Sequence, residues 1–299
     1  MPDQLIRGTF ADGGIRIVGA VTTELTESAR VRHNLSYVAT AALGRAMAAT
    51  LLLASNMKKD EARVNLSIKS NGPLRGLFVD AGRNGTVRGY VYCPDEEIAL
   101  SDQGSLQVGK AMGSEGMVRV IRDMGEGEPF SSTVELVNGE IDADVAEYLA
   151  QSEQTPSGLS LGTLVRSDGA KAAGGLLIQV LPKAAQDPLL ISVLEARLSE
   201  LESFTQMLQT HDNLTHIFKD LFGDFGLEIF PGEQDLAFRC PCSQERVLGA
   251  LKLLGSEELK DMLKEDGGAE TVCDFCNTTY TISAEQLSSL IQELQTASA

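Results

Sequence analysis

The sequence predicts an α+β protein in three parts: an N-terminal mixed α/β domain over residues 1–182, a helical linker over 183–231, and a small C-terminal domain over 232–299. Three observations predict it. Apolar and polar residues alternate in short runs separated by Asp-Gly and Asn-Gly turns, the pattern of antiparallel strands. Amphipathic helical runs gather after Pro182. Four of the five cysteines sit in two tight pairs near the C-terminal end, Cys240-Pro241-Cys242 and Cys273-Asp274-Phe275-Cys276.

Gln4 to Phe10 and Ile15 to Ala20 read as strands around Asp12-Gly13-Gly14. A weak helix follows over Thr26 to Asn34. Ser36 can cap a longer, Ala-rich helix reaching about Ser55, with Leu43, Met47 and Leu51 on one side; its small residues suit close packing on a sheet. Arg63 to Lys69, Leu74 to Val79 and Thr86 to Tyr92 read as strands, turned by Asn71-Gly72-Pro73 and Asn84-Gly85. Short strands among glycines are expected from Ser101 to Val137, then a helix over Ile141 to Gln151. Strands over Leu159 to Val165 and Gly175 to Leu181 close the domain.

Asp187 can cap a helix with Pro188 in its first turn. One helix to about Leu208 is predicted, its seam formed by Ile191, Leu194, Leu198, Leu201 and Leu208, interrupted by Thr205. Glu195, Glu200 and Glu202 fall off that seam. Asp212 or Asn213 can start a second helix carrying Leu214, Ile217, Phe218, Leu221 and Phe222. Gly223-Asp224-Phe225-Gly226 ends it, before a short strand over Leu227 to Phe230. Such helices can simply cover a core; their place before the cysteine module suggests that their order depends on that module.

In the last part, Ser243 can cap a helix through Leu254 and Ser256 a second to Glu265. Thr271 to Tyr280 reads as a hairpin holding the second cysteine pair, and Ser283-Ala284-Glu285-Gln286 as a capping box. A module of fewer than 70 residues is marginal without a staple. Four thiolates hold Zn²⁺ at about 2.3 Å in a tetrahedron, which puts sulfurs roughly 3.8 Å apart. A Cys-x-x-Cys turn meets that spacing. Cys240 and Cys242 meet it because residues two apart share a face of an extended chain. Cys240, Cys242, Cys273 and Cys276 are therefore the candidate ligands, worth on the order of 10–16 kcal/mol of folding free energy when bound. Bound sulfur is thiolate, the reactive form. Oxidation would couple the sequence neighbours, and a disulfide across the single residue Pro241 closes a small ring of the labile, regulatory kind.

The first residues, Met1-Pro2-Asp3-Gln4, begin no basic-then-apolar signal segment, so a cytoplasmic location is expected, where such cysteines serve metal or redox work rather than static disulfides. The best apolar run, Val38 to Leu53, is short for a bilayer and carries Arg45. Net charge is −17, split −5 over residues 1–182 and −12 over 183–299. The cysteine-bearing part is thus the acidic part, which argues against a nucleic-acid partner. Gly104 to Lys110 fits a phosphate loop until Ala111, where a hydroxyl should hold magnesium, and is read as strand and turn. Gly158-Leu159-Ser160-Leu161-Gly162 has the hydrolase-elbow letters but lacks the strand before it. His33, His211 and His216 show no ligand or base spacing and are read as solvated or capping. Cys93 stands alone and is read as a partly buried free thiol.

The two cysteine pairs resemble those of the redox-regulated 33 kDa chaperonins, heat-shock holdases of the bacterial cytoplasm. Gly72-Pro73, Val87-Arg88-Gly89-Tyr90, Tyr148 with Ser152-Glu153-Gln154, and Gly174-Gly175 through Gln179 to Pro182 extend the resemblance over nearly the whole chain. It implies a non-enzymatic chaperone that acts without ATP. It implies an inactive reduced form with one zinc on the four thiolates. Peroxide or hypochlorite, aided by unfolding stress, then forms Cys240–Cys242 and Cys273–Cys276 and releases zinc. The module unfolds, the linker loses its anchor, and the chain dimerises and holds unfolding client proteins. Two rival readings stand beside it: a static zinc-ribbon adaptor, which keeps its metal through peroxide, and a thiol–disulfide oxidoreductase, against which the absence of a βαβ pattern around Cys273 counts.

Overall fold

A computed structural model describes residues 1–199 and 203–297, in two compact units, Met1–Arg239 and Cys240–Ala299. In the first, chain order gives β1 (Gln4–Phe10), β2 (Ile15–Val21), α1 (Thr23–His33), α2 (Tyr37–Ala54), β3 (Arg63–Ser70), β4 (Gly76–Gly82) and β5 (Thr86–Val91). Next come α3 (Val108–Met112), β6 (Gly116–Asp123), β7 (Phe130–Glu135), α4 (Asp142–Tyr148), β8 (Ser157–Arg166) and β9 (Gly169–Val180). Then follow α5 (Pro188–Ser199), α6 (Phe204–Thr210), α7 (Leu214–Phe222), β10 (Glu228–Ile229), β11 (Gln234–Asp235) and β12 (Ala237–Phe238). The strands build two sheets, β10-β1-β2-β9-β8 with β11 also on β1, and β12-β5-β4-β3-β6-β7. Pairing is antiparallel except for β12 on β5.

Helix α2 belongs to the core shared by the two sheets. Ser36 caps it as expected, Oγ accepting the Ala39 N–H at 3.1 Å. The expected one-sided stripe is replaced by burial all round: Leu43, Met47 and Leu51 are buried, but so are Ala41, Ala46, Ala48 and Leu52. Arg45 reaches out to Glu140 at 2.7 Å. Small residues allow the approach; a Cβ on Gly44 would stand 2.7 Å from Thr163 Oγ1. By length and composition α2 could cross a membrane, yet 89 % of it is buried inside the fold, so it is a core helix.

A second apolar cluster joins the first sheet to α5, α6 and α7. Ile6, Phe10, Ile15, Ile17, Leu176 and Ile178 pack with Leu194, Phe204, Met207, Leu214, Ile217, Phe218 and Phe222. The Phe10 and Phe222 rings stack with centroids 4.6 Å apart. The structure divides the single helix expected to Leu208. Helix α5 runs to Ser199, and α6 restarts after a capping box in which Ser203 Oγ accepts the Gln206 N–H and Gln206 Oε1 accepts the Ser203 N–H. Phe204 and Met207 are the residues buried there; Glu200, Leu201 and Glu202 lie outside the described residues. Asn213 caps α7, accepting the His216 N–H at 2.9 Å.

The glycine-rich stretch read as strand and turn holds α3 instead. Val108, Ala111 and Met112 are buried at helical spacing, and Gly113, at φ 88°, ends the helix. Gly158 to Gly162 lies inside β8, paired with β9, and forms no elbow.

The second unit contains α8 (Gln244–Lys252), α9 (Ser256–Glu265), the hairpin β13 (Gly268–Val272) and β14 (Thr279–Ser283), and α10 (Ala284–Ala297). Ser243 caps α8 and the Ser283/Gln286 box caps α10, both as expected. Helix α9 is capped by Gly255 at φ 88° rather than by Ser256, which is its first residue. Five buried residues, Leu259, Ile282, Leu287, Leu290 and Ile291, form its core.

Candidate metal centre

The four cysteines reach one point by two routes. Cys240 and Cys242 lie just before the Ser243 cap of α8. Cys273 and Cys276 occupy the turn of the β13–β14 hairpin. The turn is closed by three backbone hydrogen bonds: Cys273 N–H to Thr278 O at 3.0 Å, Cys276 N–H to Cys273 O at 3.3 Å, and Asn277 N–H to Cys273 O at 2.8 Å. Asn277 takes φ 57°, the left-handed conformation that asparagine tolerates best among residues with a side chain. All four sulfurs lie within 4.8 Å of one another, Cys240 to Cys273 at 3.7 Å and Cys242 to Cys276 at 3.3 Å.

These sulfurs are surrounded by hydrogen-bond donors. The backbone N–H groups of Phe275 and Cys276 point at Cys273, and that of Thr278 at Cys276. The Cys276 thiol in turn donates to Thr278 Oγ1 at 3.2 Å. The Tyr280 hydroxyl donates to Cys242 Sγ at 3.1 Å. Donors aimed at sulfur favour thiolate. Burial, together with the neighbouring sulfurs, pushes the Cys273 thiol up to about 12 and also raises Cys242. Burial acts on Cys276 too, but Thr278 and the sulfurs of Cys242 and Cys273 outweigh it and bring Cys276 down to about 7. The hydrogen bond to Cys242 holds the Tyr280 proton, pushing that phenol up to about 12. Four sulfurs at this spacing cannot all ionise beside one another without a cation. The donor set, the close spacing of the four sulfurs and the N–H groups aimed at sulfur therefore fit a divalent, thiophilic metal such as Zn²⁺.

The other residues weighed from sequence lie elsewhere. Cys93 is a half-buried free thiol in the first unit. His211 ends α6, its Nδ1 3.0 Å from Met207 O, and His216 is exposed. The Cys273-Cys276 turn is followed by a strand rather than opening a helix, so it lacks the helix N-terminus that activates many redox dithiols. Sequence reasoning missed Thr278 and Tyr280. Their signal was the alternation of the hairpin, which returns position 280 toward the first cysteine pair.

Fold and site together define a protein class: an α+β unit with helices covering one of its sheets, followed by a small unit built on four cysteines. The Hsp33 protein family model matches residues 3–283. The chain is 60 % identical to the 33 kDa chaperonin of Acaryochloris marina over 296 residues, covering 99 % of each chain, and 59 % identical to that of Synechocystis over 295 residues, covering 99 % of this chain and 98 % of the other. It superposes on the crystal structure of the 33 kDa chaperonin of Thermotoga maritima with a TM-score of 0.89 at 36 % identity, covering 98 % of this chain and 99 % of that one. The chain belongs to the Hsp33 family.

Proposed function

We propose that this chain is a redox-regulated, ATP-independent holdase chaperone of the cytoplasm, inactive when reduced and zinc-bound. Family membership supports the chaperone reading. The observation that carries the switch is the cluster of Cys240, Cys242, Cys273 and Cys276, with all sulfurs within 4.8 Å, in a unit whose core rests on five buried side chains. When bound, Zn²⁺ cross-links the start of the unit to its hairpin.

Peroxide attacked by one thiolate yields a sulfenic acid, which a second thiolate converts to a disulfide. In the folded cluster every sulfur neighbours every other, so proximity there does not select the partner. Once the unit loosens, cysteines two or three residues apart stay close, while those thirty residues apart separate and pay the larger closure entropy. Cys240–Cys242 and Cys273–Cys276 are therefore the expected disulfides. With the sulfurs so paired, zinc leaves and the unit unfolds.

In functional terms the chain divides into residues 1–182 as chaperone domain, 183–231 as linker and 232–299 as switch. The linker helices cover Phe10, Ile15, Ile17, Leu176 and Ile178 on the first sheet. Releasing them supplies the apolar surface that holds unfolding client proteins, with dimerisation accompanying activation. The charge of −17 keeps client complexes soluble and disfavours nucleic acid and anionic membranes. Light scattering of a heat-unfolding client tests this: peroxide-oxidised, zinc-free protein suppresses aggregation and reduced, zinc-loaded protein does not. Equal suppression by both forms refutes the switch.

A further inference from the structure

Tyr280 ties a reacting sulfur to the core of its unit. Its hydroxyl donates to Cys242 Sγ at 3.1 Å. Its ring packs against the cluster of Leu259, Ile282 and Leu287, and its backbone is fixed opposite Thr271 in the hairpin. A donor favours ionisation of a free thiol, but on a sulfur that a metal already holds as thiolate it draws electron density from the lone pair that would attack an electrophile, so it restrains the nucleophile without changing which atoms react. We propose that Tyr280 is a positioning residue that restrains Cys242 while the unit is folded and releases it when the hairpin loosens. The inference rests on the reading above that these sulfurs are the reacting groups, and it supplies the link between unfolding stress and oxidation rate.

The Cys242 thiolate gives an electron pair to one peroxide oxygen, the O–O bond breaks and hydroxide leaves, giving the sulfenic acid. The Cys240 thiolate attacks that sulfur, the S–S bond forms and a second hydroxide leaves. The hydroxides take up protons as water, and two electrons have passed from sulfur to peroxide. The Tyr280 proton stays on its oxygen throughout.

Tyr280→Phe removes the donor and keeps the ring. In the zinc-loaded full chain, the rate at which iodoacetamide alkylates each cysteine is read by peptide mass spectrometry. Alkylation displaces iodide at carbon and needs no oxidant, so it decides the role of Tyr280 whether or not the redox reading holds. Cys242 is expected to react about three- to tenfold faster in the variant, with Cys273 unchanged. Equal Cys242 rates overturn the inference, and so does a common rise at all four cysteines, which would mean general loosening. Should the variant fail to fold, the natural chain grown with 3-fluorotyrosine, a stronger donor, is expected to slow Cys242; an unchanged rate overturns the inference. Zinc retained by the natural chain through peroxide refutes the redox reading separately.

Discussion

Asp3 illustrates what single residues decide in this fold. From just before β1 its carboxylate accepts the Glu24 and Leu25 N–H groups at 3.0 and 2.6 Å, capping α1 from a distant part of the chain. Thr22, next to the helix, makes no side-chain cap. The helix starts at Thr23, ahead of the Thr26 expected from sequence, because no local residue announces the cap; the capping oxygen is 21 residues from the Glu24 N–H it accepts. Burial raises the Asp3 carboxyl to about 6 against the usual 3.8, and the backbone N–H groups of Glu24, Leu25 and Thr23 offset only part of that. The folded state therefore binds this proton more tightly than the unfolded chain. The stability this group contributes is fully present below about pH 3.8 and is lost as pH rises through 6, on the order of 2–3 kcal/mol. Thermal unfolding from pH 4 to 6.5 checks this: Asp3→Asn is expected to flatten the slope, and an unchanged slope contradicts the assignment. At the candidate metal centre, Cys276→Ser removes a proposed ligand held at the hairpin turn. Zinc affinity is expected to fall by about 100-fold or more, read by competition with a chromogenic chelator.

Among the elements, α5, α6 and α7 matter most, because they cover one face of the first sheet. Phe218 is fully buried and lies so close to β2 that a Cβ on Gly19 would stand 2.8 Å from its ring. Phe218→Ala is expected to cost about 3–5 kcal/mol. If these helices shield the client surface, the variant will also bind a hydrophobic dye and suppress aggregation while still reduced. A destabilised variant that stays inactive when reduced would remove the helices from that role. Elements with local signals were legible in the sequence: the Ser36 cap of α2, the Ser283 box of α10, and the hairpin strands. The division between α5 and α6 was written in Ser203 and Gln206, but an apolar repeat running past them masked it. The one-sided stripe of α2 failed for a different reason. Apolar periodicity reports one covered face, and it cannot reveal that both sheets share this helix. Glycines hid α3, since three buried apolar side chains, Val108, Ala111 and Met112, make too short a pattern to outweigh them.

Across the whole molecule, the two units differ in how they are held. The first has a large core of two sheets and a central helix; the second has a core of five buried residues beside four sulfurs. The sulfur spacing was legible because four cysteines in two tight pairs admit few geometries. The donors around them were not, because Thr278 and Tyr280 have ordinary letters and acquire a role only in the closed hairpin. Chelating zinc from the reduced protein is expected to unfold residues 240–297 while the sheets of the first unit persist, seen as partial loss of helical circular dichroism. The most direct test of the account follows zinc release and amide hydrogen exchange together along a peroxide titration. Residues 183–231 and 240–297 are expected to lose protection in step with zinc, while residues 1–182 keep theirs. Zinc leaving with both segments still protected, or protection lost with zinc still bound, would contradict it.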